Sequence, residues 1–123
     1  MLISKDKTVM DLQKEFSDQF PYLKIEFYHK AHDHFEGSKK ADQASSDTLL
    51  KDLNSDLSDA EFEITKNLSV DKLETAFEEK FGLHVQVFRQ SGKEWLQTSV
   101  SDGWTLEEHS KNAKEYADFL ASK

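Results

Sequence analysis

The sequence contains no cysteine and little proline or glycine. Its 123 residues include one proline and four glycines. Without cysteine, disulfide bonds, thiolate zinc sites and cysteine nucleophiles are excluded. Four glycines leave little material for a phosphate-binding loop, and the sequence has neither a P-loop nor a GxGxxG pattern. These absences exclude the commonest disulfide-stapled, zinc-ribbon and nucleotide-binding classes.

Long apolar runs are missing as well. No segment reaches the length of a membrane span, and the N-terminal "MLISKDK" lacks the apolar run of a signal peptide. We therefore expect a soluble, cytoplasmic protein with no membrane association. The net charge is −8, and the basic residues are interleaved with acids. Because phosphate backbones require clustered Lys and Arg, nucleic acid is not an expected partner.

Two stretches of the sequence align with each other, one running from Ile3 to Tyr28 and the other from Ile64 to Phe88. Each stretch predicts a strand, a helix and a second strand. Thr8 and Ser69 occupy matching positions and are suited to cap the two helices. Pro21 ends the first helix and Gly82 the second. The apolar residues that recur at helical spacing are Val9, Leu12, Phe16 and Phe20 in the first copy, and Val70, Leu73, Phe77 and Phe81 in the second.

This internal repeat predicts an α+β fold formed by one domain, residues 1–123. Two βαβ repeats, residues 1–29 and 61–90, favour a duplicated ferredoxin-like sandwich with the strand order 2-3-1-4-5. Residues 30–60 are expected to form a flexible insertion, in which a short helix docks through Leu49, Leu50 and Leu53. Residues 93–121 predict a C-terminal extension made of a hairpin strand and a helix.

The C-terminal extension begins with a predicted β-hairpin. Taking Ser91 and Gly92 as its two-residue turn places Phe88 opposite Trp95 and Arg89 opposite Glu94. The final helix starts with a predicted capping box of Thr105 and Glu108, around which Trp104 and His109 form a hydrophobic staple. Residues 81–110 resemble small bacterial proteins that carry no assigned function, and this resemblance implies no catalytic residue.

Alternation along the predicted strands defines a candidate binding face. If the helices cover the face of Leu23, Val85 and Leu96, aromatic and polar side chains lie on the opposite face. This candidate face consists of Tyr28, His84, Phe88, Trp95 and Gln97. Large aromatic side chains favour a protein partner or a homodimer, since RNA-binding sheets of this kind carry basic aromatic motifs that are missing here. The alternative is that the C-terminal helix lies across this face and buries Phe88 and Trp95.

Two stretches suggest weak metal sites. His29, His32 and His34 could converge on a transition metal, although the spacing matches no strong zinc pattern. The second stretch, "DLNSDLSDAEFE", places Asp52, Asn54, Asp56 and Glu63 at ligand positions of an EF-hand loop. Leu57 stands where that loop needs glycine, which argues against calcium. Solvated loop residues are the expected explanation for both stretches.

No reaction is indicated by the sequence. Its carboxylates are abundant, but no pattern marks a water-poor catalytic pocket, and the GxSxG elbow of hydrolases is missing. We therefore expect a non-enzymatic binding or protein-interaction module that acts through the aromatic sheet face or a sheet edge and needs no cofactor. Two alternatives remain: a metal-binding protein that uses the histidine loop, and a small-molecule-binding protein with a pocket under the C-terminal helix.

Overall fold

The computed structural model describes residues 1–30 and 38–123, which form a mixed α+β structure. Within these residues there are two antiparallel sheets and four α-helices. The strands are β1 (Leu2–Ile3), β2 (Leu23–Tyr28), β3 (Ala60–Glu61), β4 (His84–Ser91) and β5 (Glu94–Gln97). The helices are α1 (Val9–Gln19), α2 (Leu50–Leu53), α3 (Val70–Phe81) and α4 (Leu106–Ala121). Short 3₁₀ turns occur at Lys40–Asp42 and Ser99–Ser101.

The strand order differs from the expected 2-3-1-4-5. β1 pairs with β3 in one sheet, and the second sheet has the order β2-β4-β5. The predicted neighbours β1–β3 and β4–β5 are present, but β2 lies beside β4 instead of β3. The physical reason is strand length, since β1 and β3 have two residues each, whereas β2 forms six residue pairs with β4. The ferredoxin-like order is therefore not found.

The core lies on one face of the β2-β4-β5 sheet. In the antiparallel register, Ile25 pairs with Val87 and Phe27 with Val85, and all four side chains are buried. α1 packs against β2 and α3 against β4 on this face. The Phe77 ring of α3 meets the Phe27 ring edge-on, with 5.9 Å between the ring centroids. Helix periodicity and strand alternation thus bury the residues of α1, α3, β2 and β4 that the sequence pattern assigned to the core, whereas Leu96 of β5, expected on the same face, is 40 % exposed.

Local signals define the helix ends as predicted. The side chains of Thr8, Ser69 and Thr105 accept hydrogen bonds from first-turn amides of α1, α3 and α4. Thr105 and Glu108 form the predicted capping box. Gly82 ends α3 in the left-handed conformation. None of the helices in the described part of the chain has the length and apolarity needed to cross a membrane.

The N-termini of the helices form two pairs, and within each pair the first-turn backbone amides of one helix donate hydrogen bonds to carbonyls just before the other helix. The first-turn amide of Val9 donates to the Thr48 carbonyl over 2.9 Å, and the amide of Leu50 donates back to the Lys7 carbonyl over 2.9 Å. α3 and α4 repeat this exchange, from Val70 to Trp104 and from Leu106 to Leu68. Amides in the first turn have no partner inside their own helix. The exchange therefore fixes α2 against α1 and α4 against α3.

The insertion contributes to the sheet and to the core. The Ala44 amide donates to the Phe27 carbonyl and the His29 amide to the Asp42 carbonyl, each over 2.8 Å. These bonds occupy the outer edge of β2 at its C-terminal end. Leu50, in α2, is fully buried, and Leu57 is nearly so. The predicted short helix is confirmed as α2, and Leu50 docks it as expected, whereas the pairing of residues 42–44 with the edge of β2 was not expected.

The hairpin register is shifted by two residues from the expected one. Gly92 and Lys93 form the loop, so that Gln90 pairs with Trp95 and Arg89 with Leu96. Gly92 has a φ of +63°, and the first loop position of a two-residue hairpin requires positive φ. The predicted pairing of Arg89 with Glu94 was therefore wrong. Because the shift is even, each side chain stays on its predicted face.

Substitution of Gly82 tests whether the left-handed conformation that ends α3 requires glycine. Its φ is +60°, and a Cβ atom added there would lie 2.5 Å from Asn54 Nδ2. We expect Gly82→Ala to lower the free energy of unfolding by about 2 kcal/mol, since the left-handed conformation alone costs a non-glycine residue roughly 1–2 kcal/mol. Gly103→Ala is the matched control, because an added Cβ there meets nothing within 4 Å. Urea unfolding measures both, and equal stability of the two variants would contradict this explanation.

Candidate functional site

The outer face of the β2-β4-β5 sheet carries the predicted binding residues. Tyr28 pairs with His84 and Phe88 pairs with Gln97, and strand alternation places all four on the face opposite the buried Ile25 and Val87. The His84 side chain nevertheless reaches α3, where its Nδ1 lies 3.4 Å from Glu78 Oε1. Trp95, opposite Gln90, joins them by the same alternation. The structure thus places all five predicted residues on one face of one sheet.

Tyr28 is not available to a partner on that face. Its side chain is only 2 % exposed. Burial raises the pKa of the Tyr28 phenol above its usual range, and the Glu26 and Glu74 carboxylates add to the rise. The neighbouring Gln86 is also fully buried. The end of the face near Tyr28 is therefore interior.

A segment of the insertion covers the middle of the face. The Ser38 amide donates to Gln97 Oε1, and Gln97 Nε2 donates to the Ser38 carbonyl, both over 2.9 Å. Ser38 Oγ also lies 3.4 Å from Gln86 Oε1. Gln97 thus holds the insertion on the sheet instead of presenting its amide to a ligand. Sequence reasoning missed this contact, because no local pattern pairs a glutamine with a residue 59 positions away.

The accessible part of the face is an aromatic cluster around Lys24. The Lys24 ammonium lies 5.1 Å from the ring centroids of both Phe88 and Trp95. It also forms a salt bridge of 3.6 Å with Glu26. Phe88 is partly buried, whereas Trp95 is 38 % exposed. Cation–π contacts of this kind orient the rings and the ammonium. Lys24, Phe88 and Trp95 therefore form a preordered surface, which we call the Trp95 cluster.

The Trp95 cluster borders an open strand edge. Among residues 1–30 and 38–123, β5 is the last strand of its sheet and pairs only with β4. The Thr98 amide donates to the Val87 carbonyl of β4. Because backbone groups alternate along a strand, the N–H and C=O groups of Leu96 and Glu94 also point toward β4. Trp95 and Gln97 consequently direct their backbone N–H and C=O groups away from the sheet. Leu96, on the other face of the same strand, is 40 % exposed.

The C-terminal helix does not cover the outer face. Leu106, at the start of α4, belongs to the core cluster on the side of α1 and α3. Farther along α4, Leu120 and Tyr116 lie beside the hairpin turn, where a Cβ atom on Gly92 would meet Leu120 at 3.3 Å. The possibility that α4 buries Phe88 and Trp95 is therefore not realised.

A groove separates the end of β4 from α4. It has a volume of about 400 Å³. Arg89 enters it from the core side of β4, with its guanidinium carbon 5.7 Å from the ring centroid of Trp104. Its lining consists of Arg89, Gln90, Ser91, Asn112, Glu115 and Tyr116. The groove lies where the alternative of a small-molecule pocket under the last helix placed one.

The predicted metal sites gain no support from the described residues. His29 is exposed, and His32 and His34 lie outside the residues that the structure describes. In the EF-hand candidate, Leu57 is buried and the side-chain Nδ2 of Asn54 donates to the Phe81 carbonyl over 2.8 Å. Within residues 1–30 and 38–123 there is no group of three or more His, Cys, Asp or Glu side chains that could hold a metal ion.

Comparison with known proteins yields no relative. No protein-family model matches the chain, and no curated protein or solved structure matches it. The candidate sites therefore rest on geometry and chemistry alone.

His109 lies close to the groove and is a buried titratable group. It is fully buried, its Nε2 lies 2.9 Å from the Ser101 carbonyl, and its ring stacks against Trp104 at 5.1 Å. Because a carbonyl only accepts, Nε2 carries the proton, and the buried Nδ1 has no partner among the described residues. Burial lowers the pKa of His109, and the Arg89 charge lowers it further, although the Ser101 hydrogen bond and the Glu108 carboxylate act in the opposite direction.

We expect acid to destabilise the fold through His109. The unfolded chain binds a proton near pH 6.5, whereas the folded chain binds it only at lower pH, so stability falls as pH drops below about 6.5. His109→Gln retains a donor for Ser101 but does not titrate. Its melting temperature should fall less between pH 7.5 and 5.5 than that of the wild type. The other histidines are common to both proteins, so equal falls would contradict a buried neutral His109.

Proposed function

We propose that the chain is a non-enzymatic interaction module that binds an extended segment of a protein partner along the open edge of β5. Trp95 is the anchoring side chain of this proposal. The observation that carries it is the combination of two features: β5 has a free outer edge as far as the described residues go, and a partly exposed tryptophan on it is held in place by Lys24. An extended segment that adds a strand to a sheet edge gains affinity from main-chain hydrogen bonds and specificity from side-chain contacts.

The open edge offers both kinds of contact. The outward N–H and C=O groups of Trp95 and Gln97 can pair with one extended segment. On the outer face, the Trp95 ring supplies apolar area, and tryptophan is among the residues most enriched at binding hot spots. On the other face, exposed Leu96 offers a second apolar contact. The comparable edge of β2 is occupied near its end by the Ala44 and His29 hydrogen bonds.

The proposed occupant is a different protein and not a second copy of this chain. Two copies would each bring a net charge of −8, which opposes association. β5 has four residues, and pairing along so short an edge falls well below the roughly 1,200–2,000 Å² that stable interfaces bury. A single peptide segment matches the length of the edge.

We also propose that the chain consists of two copies of one strand–helix–strand unit. In the repeat, Ile25 is equivalent to Val85 and Phe27 is equivalent to Val87. The pairing of β2 with β4 supports the repeat, because the pairs Ile25–Val87 and Phe27–Val85 are then equivalent to each other, as a twofold relation between the two copies requires. The exchange of amides between helix N-termini likewise occurs once in each half. On this proposal the hairpin strand β5 is an addition to the second copy, and the binding edge is the feature that distinguishes the halves.

Peptide selection tests the binding proposal. A displayed library of random linear peptides is panned against the immobilised wild-type protein, and enriched peptides are titrated against purified variants. We expect Trp95→Ala to raise the dissociation constant of the peptide by about 30-fold. This corresponds to a loss of roughly 2 kcal/mol of binding free energy, as is typical of a tryptophan hot spot. Peptide binding should also slow hydrogen exchange of the Trp95 and Gln97 amides, since both would gain acceptors.

Phe119→Ala is the matched control, because Phe119 is an exposed aromatic on α4, 53 % accessible, and far in sequence from β5. It should bind peptide as the wild type does, and thermal melts should show that both variants remain folded. Failure to enrich any peptide would contradict the proposal, as would peptides whose affinity is unchanged by Trp95→Ala. Dimerisation of the free protein through β5 would show that the occupant is the chain itself.

A further inference from the structure

The single arginine of the chain occupies an unusual position. Arg89 lies at the hairpin end of β4, between Leu23 and Leu96 on the core side of the sheet. Its side chain is partly buried and its guanidinium faces the Trp104 ring. This cation–π contact restricts the guanidinium to a defined orientation. The group is therefore held in place and does not move freely in solvent.

One nitrogen of the Arg89 guanidinium has no hydrogen-bond partner in the part of the chain that the structure describes. This nitrogen, Nη1, is buried. A guanidinium has five N–H donors, and leaving buried donors unsatisfied costs free energy. The other N–H groups of the guanidinium, on the side that lines the groove, can donate charge-assisted hydrogen bonds to a carboxylate from outside.

Glu115 lines the same groove without pairing with Arg89. The hollow of about 400 Å³ thus contains one cation and one anion that do not neutralise each other. The lining also includes neutral hydrogen-bonding groups, the side-chain amides of Gln90 and Asn112 and the hydroxyl of Ser91. The partly exposed ring of Tyr116 completes the lining. The volume lies in the range of small-molecule sites.

We propose that this groove binds a small zwitterion of the amino-acid class. Its carboxylate pairs with the Arg89 guanidinium, its ammonium pairs with Glu115, and an apolar side chain lies against Tyr116. A purely anionic ligand would meet the Glu115 charge, and a purely cationic one would meet Arg89. The site is separate from the β5 edge, so this proposal does not depend on the peptide-binding one.

The first test uses L-phenylalanine as the probe, with 3-phenylpropionate and phenethylamine as analogues that each keep only one charge. Binding is followed in Trp95→Phe protein by the emission of Trp104, which lies next to Arg89, and by the amide resonances of Asn112 and Tyr116. We expect saturable binding of L-phenylalanine, and at least tenfold weaker binding of either analogue. No saturable change, or equal binding of an analogue, would overturn the proposal.

The second test uses variants. Arg89→Gln and Glu115→Gln should each weaken L-phenylalanine binding at least tenfold, and Arg89→Lys, which keeps the charge but loses the paired donors, should also weaken it. Lys114→Gln is the control, because Lys114 lies on the same helix and pairs with Asp118 over 2.8 Å instead of lining the groove. It should bind as the wild type does. Circular dichroism establishes that each variant is folded, and undiminished binding by folded Glu115→Gln or Arg89→Lys would contradict the assignment.

Discussion

The antiparallel pairing of β2 with β4 is the constraint on which the rest of the structure depends. It gives one sheet a buried face, built on Ile25, Phe27, Val85 and Val87, and an outer face on the alternate residues. A one-residue slip would move every apolar side chain to the wrong face. Because β4 is longer than β2, it also provides the template for β5. The aromatic cluster, the open edge and Arg89 all take their positions from β4.

The paired helix N-termini form the second constraint. Each member of a pair donates its first-turn amides to carbonyls that precede the other helix, so neither helix start can move without leaving buried polar groups unsatisfied. This exchange seats α4 beside α3 on the core side. The outer face consequently stays free of α4, and the groove beside Arg89 opens where α4 passes the hairpin.

Local features of the fold were predictable from the sequence because their causes are local. Thr8, Ser69 and Thr105 cap helices through their own hydroxyls, and Gly82 ends α3 because glycine tolerates its conformation. Strand alternation likewise assigned Trp95 to the outer face, since that assignment survives an even register shift. The register itself was wrong, because glycine suits either position of a two-residue turn and the sequence pattern does not distinguish them.

Contacts between distant segments could not be predicted in the same way. The order of strands depends on which long-range pairs bury most area, and the sequence pattern did not show that β3 would be limited to two residues. The Gln97–Ser38 contact joins segments 59 residues apart and removes Gln97 from the candidate face. Tyr28 was expected to be accessible, but the hydrogen bonds of residues 42–44 to β2 help to make its end of the sheet interior.

Hydrogen exchange at single amides of β5, measured by NMR on the free protein, tests the central claim most directly. Light scattering of the same sample gives its mass. We expect a monomer in which the Trp95 and Gln97 amides exchange much faster than the Leu96 amide, since of the three only Leu96 donates into the sheet. Equal protection of the three amides in a monomer would mean that the β5 edge is already covered and cannot receive a peptide.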